Sequence, residues 1–107
     1  MKVYISGPIT GRKTDDYMKQ FTAVEMRLRA TGYKPVNPAR MNYHLPAEVT
    51  SDEEYMIVSI AQLSISDAII MLKGWQDSAG CEEELHYAIA HEMPVMFEST
   101  FMGDEVA

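Results

Sequence analysis

Hydrophobic and polar positions alternate along this chain in two rhythms, one of short apolar runs and one of helical stripes. Val3-Tyr4-Ile5 is a β-prone run that stops at Gly7-Pro8, which predicts a strand followed by a loop. From Thr14 to Thr31 the apolar residues Met18, Phe21, Val24 and Leu28 recur at helical spacing. Asp15 and Asp16 suit the positive end of that helix, and Gly32 offers its stop. Tyr33-Lys34-Pro35-Val36 reads as a second short strand ending at Asn37-Pro38, and Met41 to Thr50 reads as a loop. Ser51 with Glu54 three residues on forms a capping box, opening a helix with Met56, Ile57, Ile60 and Leu63 on its apolar face. Ala68-Ile69-Ile70-Met71-Leu72 is apolar on both faces, as a central parallel strand is, and ends at Lys73-Gly74. A polar loop leads to a helix over residues 79–91 whose apolar face is Cys81, Leu85, Ala88 and Ile89, then to a last strand, Pro94-Val95-Met96-Phe97.

The order βαβαβαβ implies right-handed crossovers and an α/β fold: a single-domain flavodoxin-like (Rossmann-like) parallel sheet over residues 1–107. Four strands in the order 2-1-3-4 are expected, with helix one on one face and helices two and three on the other. Such sheets bind ligands beyond the carboxyl ends of their strands. The loops there carry the least generic residues: Ser6-Gly7-Pro8-Ile9-Thr10-Gly11 after the first strand, Asn37-Pro38-Ala39-Arg40 after the second, and Trp75-Gln76-Asp77-Ser78-Ala79-Gly80 after the third.

Composition narrows the partners. A chain of 107 residues, 47% hydrophobic and 23% charged, is long enough for one folded domain and too short for two. Nine Lys and Arg against sixteen Asp and Glu leave a net charge of −7, which repels nucleic-acid backbones and anionic membranes, so neither a polynucleotide nor a membrane is an expected partner. One cysteine, Cys81, and nine methionines suit a reducing cytoplasm, and neither a signal peptide nor a membrane-spanning run is visible. His44, His86 and His91 lack metal-ligand spacing, so no metal is expected.

The first loop invites a phosphate-loop reading, with Gly7, Gly11 and Arg12-Lys13-Thr14, but only three residues separate its glycines where four are needed, and a dinucleotide fingerprint is absent as well. A tight turn needing positive φ explains both glycines without a ligand. On the 79–91 helix, at about 100° per residue, Glu83 points away from the apolar face while Glu82 and Glu84 lie on its two margins. A carboxylate there is held ionised by the helix dipole, as a nucleophile or base requires, and periodicity does not choose between those two. Asp67 precedes the most apolar strand and Asp77 follows it; both also fit as ordinary element-boundary residues. Tyr4 lies within a strand, where packing is the default, and Trp75 could stack on a base or cover the sheet edge.

Taken together, Tyr4-Ile5-Ser6-Gly7-Pro8-Ile9-Thr10-Gly11, Asp67-Ala68-Ile69-Ile70, and Ser78-Ala79-Gly80-Cys81-Glu82-Glu83-Glu84-Leu85-His86-Tyr87-Ala88 with Pro94-Val95 resemble the nucleoside 2-deoxyribosyltransferase-like family. The resemblance covers most of the chain. It implies that Glu84 is the nucleophile, Tyr4 its partner near the sugar and Asp67 the carboxylate associated with the leaving base, with no cofactor. It also places Ser6 to Gly11, Asn37, Trp75, Asp77, Ser78 and Gly80 around a nucleoside or nucleotide. The implied reaction is cleavage or transfer of the N-glycosidic bond of a 2′-deoxyribonucleoside or its 5′-monophosphate. Ser78 matches a position that is serine in the related deoxynucleoside 5′-monophosphate glycosidases, whereas Pro8 and Thr10 stand where those enzymes carry serine and arginine. The alternatives are a catalytically inactive nucleotide-binding or assembly module on the same fold and an NAD-cleaving glycosidase. A homodimer or larger homo-oligomer is expected because the core is small and family sites are completed across subunits, where Ser99 and Thr100 could contribute.

Overall fold

The opening strand β1 (Lys2–Ser6) is buried at every position after the first. A strand covered on both faces belongs in the middle of a sheet. β1 pairs in parallel with β2 (Lys34–Val36) on one side and with β3 (Ala68–Met71) on the other. β4 (Val95–Phe97) adds to β3, also parallel, giving the expected order 2-1-3-4. The computed structural model describes residues 1–42 and 44–103.

The two-residue period of the strands divides the core into two layers. Val3, Ile5, Ala68 and Ile70 face one way, onto Phe21, Val24 and Leu28 of α1 (Thr14–Ala30) and Ala39 of α2 (Pro38–Met41). Tyr4, Ile69 and Met71 face the other way, onto Leu63 of α3 (Asp52–Ser64) and onto Cys81 and Ala88 of α4 (Ala79–Ala90). Helix one thus covers one face and helices two and three of the sequence reading cover the other, as expected. The capping box forms: Ser51 Oγ accepts from the Glu54 amide at 3.1 Å, and Glu54 Oε1 accepts from the Ser51 amide at 2.8 Å. Those bonds hold the Glu54 carboxyl below its ordinary value.

Local differences from the sequence reading have identifiable causes. Asn37-Pro38 does not simply end a strand; it starts α2, with Asn37 accepting from the Arg40 amide at the cap and Pro38 inside the first turn. A further short helix, α5 (Glu98–Met102), follows β4 and packs Phe101 and Met102 against the α1 layer. Ile57 and Ile89, assigned above to apolar faces, are 66% and 61% exposed, because each sits at the margin of a narrow stripe and the sheet meets only its centre. Among the described residues no helix is long and apolar enough to cross a membrane.

Candidate active site

The site grows out of β1. Residues i and i+2 of a strand face the same way, so Tyr4 and Ser6 both point toward the α4 layer. Ser6 is the last residue of the strand, and Tyr4 lies roughly 6–7 Å further back along it. The long phenol and the short hydroxymethyl therefore end at the same place, the carboxyl of Glu84. The Tyr4 hydroxyl donates to Glu84 Oε2 at 2.6 Å and the Ser6 hydroxyl donates to Oε1 at 2.6 Å. All three side chains are buried, with Glu84 only 6% exposed.

Glu84 is brought there by α4, which starts at Ser78; the Ser78 hydroxyl caps the helix by accepting from the Cys81 amide at 3.2 Å. Periodicity left Glu82 and Glu84 open, and the structure distinguishes them: Glu82 is exposed and Glu84 is buried against β1. Glu84 lies in the second turn of α4, not the first, so the helix dipole that was expected to keep it ionised is weak there. Burial dominates instead and pushes the Glu84 carboxyl above its ordinary value, an effect opposed by the hydrogen bonds from Ser6 and Tyr4. Burial, with the adjacent Glu84 charge, raises the Tyr4 phenol well above its usual value, so it remains a hydrogen-bond donor at neutral pH. The Cys81 thiol, one turn before Glu84, is likewise raised by burial.

Other residues singled out in the sequence fall into separate places. Asp67 is exposed at the amino end of β3, where its Oδ2 accepts from the Lys2 amide at 2.8 Å. In a parallel sheet that is the end opposite Ser6, so the assignment of Asp67 to the site is corrected: it pins the start of β1 to the start of β3. Asn37 is buried, and its amide donates to Glu25 Oε1 at 2.8 Å and accepts from the Arg40 amide, bonds that tie the β2–α2 turn to α1.

Gly7 is needed for packing: a Cβ there would come within 2.8 Å of the Leu72 side chain and 2.9 Å of the Phe21 ring. Gly11 has φ of +80° with open space around it, the turn role that required no ligand. Ile9, Thr10 and Asp77 are exposed, Pro8 and Trp75 half-buried. A Cβ on Gly80 would approach Met56 to 3.1 Å, which lets α4 pack closely on α3.

Two features had no clear signal in the sequence. Ser59 of α3 lies near the Tyr4 phenol and opposes the rise that burial imposes on it. The half-buried Arg12 guanidinium donates to the Pro8 carbonyl at 2.8 Å and to Gln20 at 2.7 Å, while Gln20 and the Lys73 amide both donate to Glu98 Oε1 at 2.9 Å. This polar clasp ties the β1 loop to α1, the β3 loop and α5. Beyond the ends of β3 and β4 lies an open cavity of about 390 Å3 lined by Met71, Lys73, Trp75, Phe97, Ser99 and Thr100, with the Trp75 and Phe97 rings 6.3 Å apart. Its Met71 pairs with Ser6 in the sheet register, while Tyr4, Ser6 and Glu84 themselves do not line the cavity. Among the described residues no three His, Cys, Asp or Glu side chains gather as metal ligands would.

The comparisons with known proteins agree with this architecture. The family described as a domain of unknown function, DUF4406, matches residues 1–97, and the chain belongs to it. No curated protein matches. A solved structure of a 2-deoxyribosyltransferase from the psychrotolerant bacterium Bacillus psychrosaccharolyticus is similar to this chain, with a TM-score of 0.69 and 22% sequence identity over 91% of this chain and 71% of that one. At that identity the likeness establishes the shared fold.

Proposed function

We propose that this DUF4406 protein cleaves or transfers the N-glycosidic bond of 2′-deoxyribonucleosides or their 5′-monophosphates, with Glu84 as the nucleophile. The observation that carries this reading is a buried carboxyl at the carboxyl edge of the sheet, held on both oxygens by hydroxyl donors and by no cation among the described residues. The fold shared with a 2-deoxyribosyltransferase supports the substrate class.

The chemistry follows from the environment. A carboxylate deprived of water is more basic and more nucleophilic than a solvated one. One Glu84 oxygen forms a bond to C1′ of the sugar as the C1′–N bond breaks, its electron pair leaving with the base, which takes up a proton. The positive charge that builds on the sugar is neutralised by the approaching carboxylate, and ester formation removes the buried charge. Tyr4, kept protonated, steadies Oε2 during that change. In the second half, a nitrogen of another base, or a water that gives up a proton, attacks C1′ and releases Glu84 as carboxylate. A base as acceptor gives transfer and water gives hydrolysis. With Asp67 at the far end of the sheet, the leaving base receives its proton from solvent or from another group at the cavity.

Ser78 favours a nucleotide over a nucleoside by the resemblance, although its hydroxyl already caps α4. A second copy of the chain completing the site through Ser99 and Thr100 belongs to the same proposal. Incubation with a panel of deoxynucleosides and their monophosphates, with and without an acceptor base, tests it by chromatography of free base. Base release that depends on Glu84 supports the reading; binding without release from any member of the panel would replace it with a nucleotide-binding module.

A further inference from the structure

The Ser6 hydroxyl has no access to solvent, since the residue is 1% exposed and its backbone is locked into the sheet, with its carbonyl accepting from the Leu72 amide at 2.8 Å. A buried hydroxyl must spend its proton on a local acceptor, and this one spends it on Glu84 Oε1. Glutamate has three rotatable side-chain bonds, and a single donor, Tyr4 on Oε2, would leave the carboxyl free to turn about its last bond. A second donor on the other oxygen removes that freedom. Each carboxylate oxygen has two lone pairs, so one on each remains for chemistry.

We propose that Ser6 is a positioning residue for the Glu84 carboxyl: donating to Oε1 from the last residue of β1, it fixes the carboxyl plane and with it the direction of the remaining lone pairs. This rests on the reading of Glu84 as nucleophile. It differs from the substrate-binding role that the sequence resemblance implies for Ser6, because the hydroxyl is already engaged before any ligand arrives. The titratable groups that act on Glu84 are Tyr4 from β1 and, from α4, Cys81 and the outward-pointing Glu83. Of the groups around the carboxyl, Ser6 and Tyr4 favour its charged form, whereas burial and Glu83 oppose it. Loss of the Ser6 donor therefore moves the Glu84 titration upward.

The test compares wild type with Ser6→Ala and Ser6→Thr. The Glu84 side-chain carboxyl is titrated by carbon NMR in the ligand-free protein, and kcat and KM are followed against pH on the deoxynucleoside that wild type turns over best. Ser6→Ala is expected to raise the titration midpoint by about one pH unit, to carry the acidic limb of the rate profile the same way, and to lower kcat about tenfold with KM nearly unchanged. Ser6→Thr, which keeps the hydroxyl, is expected to return the midpoint toward wild type. If Ser6→Ala does not fold, Ser6→Cys, a near-isostere with a weaker donor, takes its place and is expected to shift in the same direction. An unchanged midpoint without the hydroxyl, or a shifted midpoint with unaltered kcat, overturns the proposal. A wild type that releases no base while the midpoint still moves would overturn the nucleophile reading and leave the Ser6 bond to Glu84 standing.

Discussion

Two glutamates are buried in this protein to the same degree, each 6% exposed, on opposite faces of one sheet, and they are treated differently. Glu25, on α1, meets nitrogen: the Asn37 amide donates to Oε1 at 2.8 Å, Arg40 Nε lies 3.2 Å from the same oxygen, and Arg29 Nε lies 3.4 Å from Oε2. Glu84, on α4, meets only the hydroxyls of Tyr4 and Ser6 among the described residues. The first arrangement compensates a buried charge and ties α1 to the β2–α2 turn. The second leaves the charge uncompensated, which stability alone gives no reason to retain. Burial with cationic partners fits a strut, and burial with neutral donors at the carboxyl edge is the feature on which the proposed reactive role of Glu84 rests.

Exchanging the two carboxylates for amides separates them. Glu84→Gln is expected to reduce base release by roughly a thousandfold or more, because an amide in the place of the proposed nucleophile does not form the sugar ester, whereas Glu25→Gln is expected to leave the rate per folded molecule close to wild type. Equal losses in the two variants, measured by the same chromatographic assay, would erase the distinction.

Denaturant unfolding reads the converse. Glu25→Ala is expected to cost about 1–3 kcal/mol, since the Asn37 amide loses its acceptor in a buried place. The figure stays at that level because the two arginines are mostly exposed and rehydrate. Glu84→Gln is expected to unfold no more easily than wild type at neutral pH, and its dependence on pH sharpens the point. A raised carboxyl binds an extra proton in the folded state between its ordinary value and its folded one, so wild-type stability falls as pH rises through that window. The Glu84→Gln protein should lack that fall; a parallel pair of stability–pH curves would mean that Glu84 is not destabilised by burial.

The smallest effects are expected at acids that only resemble these two. Glu83→Gln, on the outward face of α4, and Asp67→Asn, at the amino edge of the sheet, should both retain wild-type turnover. A large loss in Asp67→Asn would restore the role the resemblance assigned to it.

The fold was legible because strands and helices each carried their own period: the wholly apolar 68–72 run, the capping box at Ser51 and the stripe from Met18 to Leu28 all became the expected elements. The short helices α2 and α5 were not, being four and five residues long, too short for any period to register. Within the site, Glu84 was narrowed to two candidates by helical spacing and selected by resemblance, and Tyr4 came from resemblance alone. Ser6 was read as a loop residue and, by resemblance, as a substrate contact; its bond to Glu84 was not legible because the partner lies 78 positions away. Asp67 misled because the resemblance was followed against the fold: a residue directly before a strand of a parallel sheet lies at the amino edge, remote from Ser6.

The most direct measurement is to trap the covalent intermediate. A 2-fluoro-deoxyribonucleoside slows both formation and breakdown of a sugar ester, and mass spectrometry of the digested protein locates it. The account predicts one fluorodeoxyribosyl group on Glu84, absent from Glu84→Gln. A group fixed to Glu82 or to any other side chain, or continued turnover with no adduct on the peptide that carries Glu84, would contradict it.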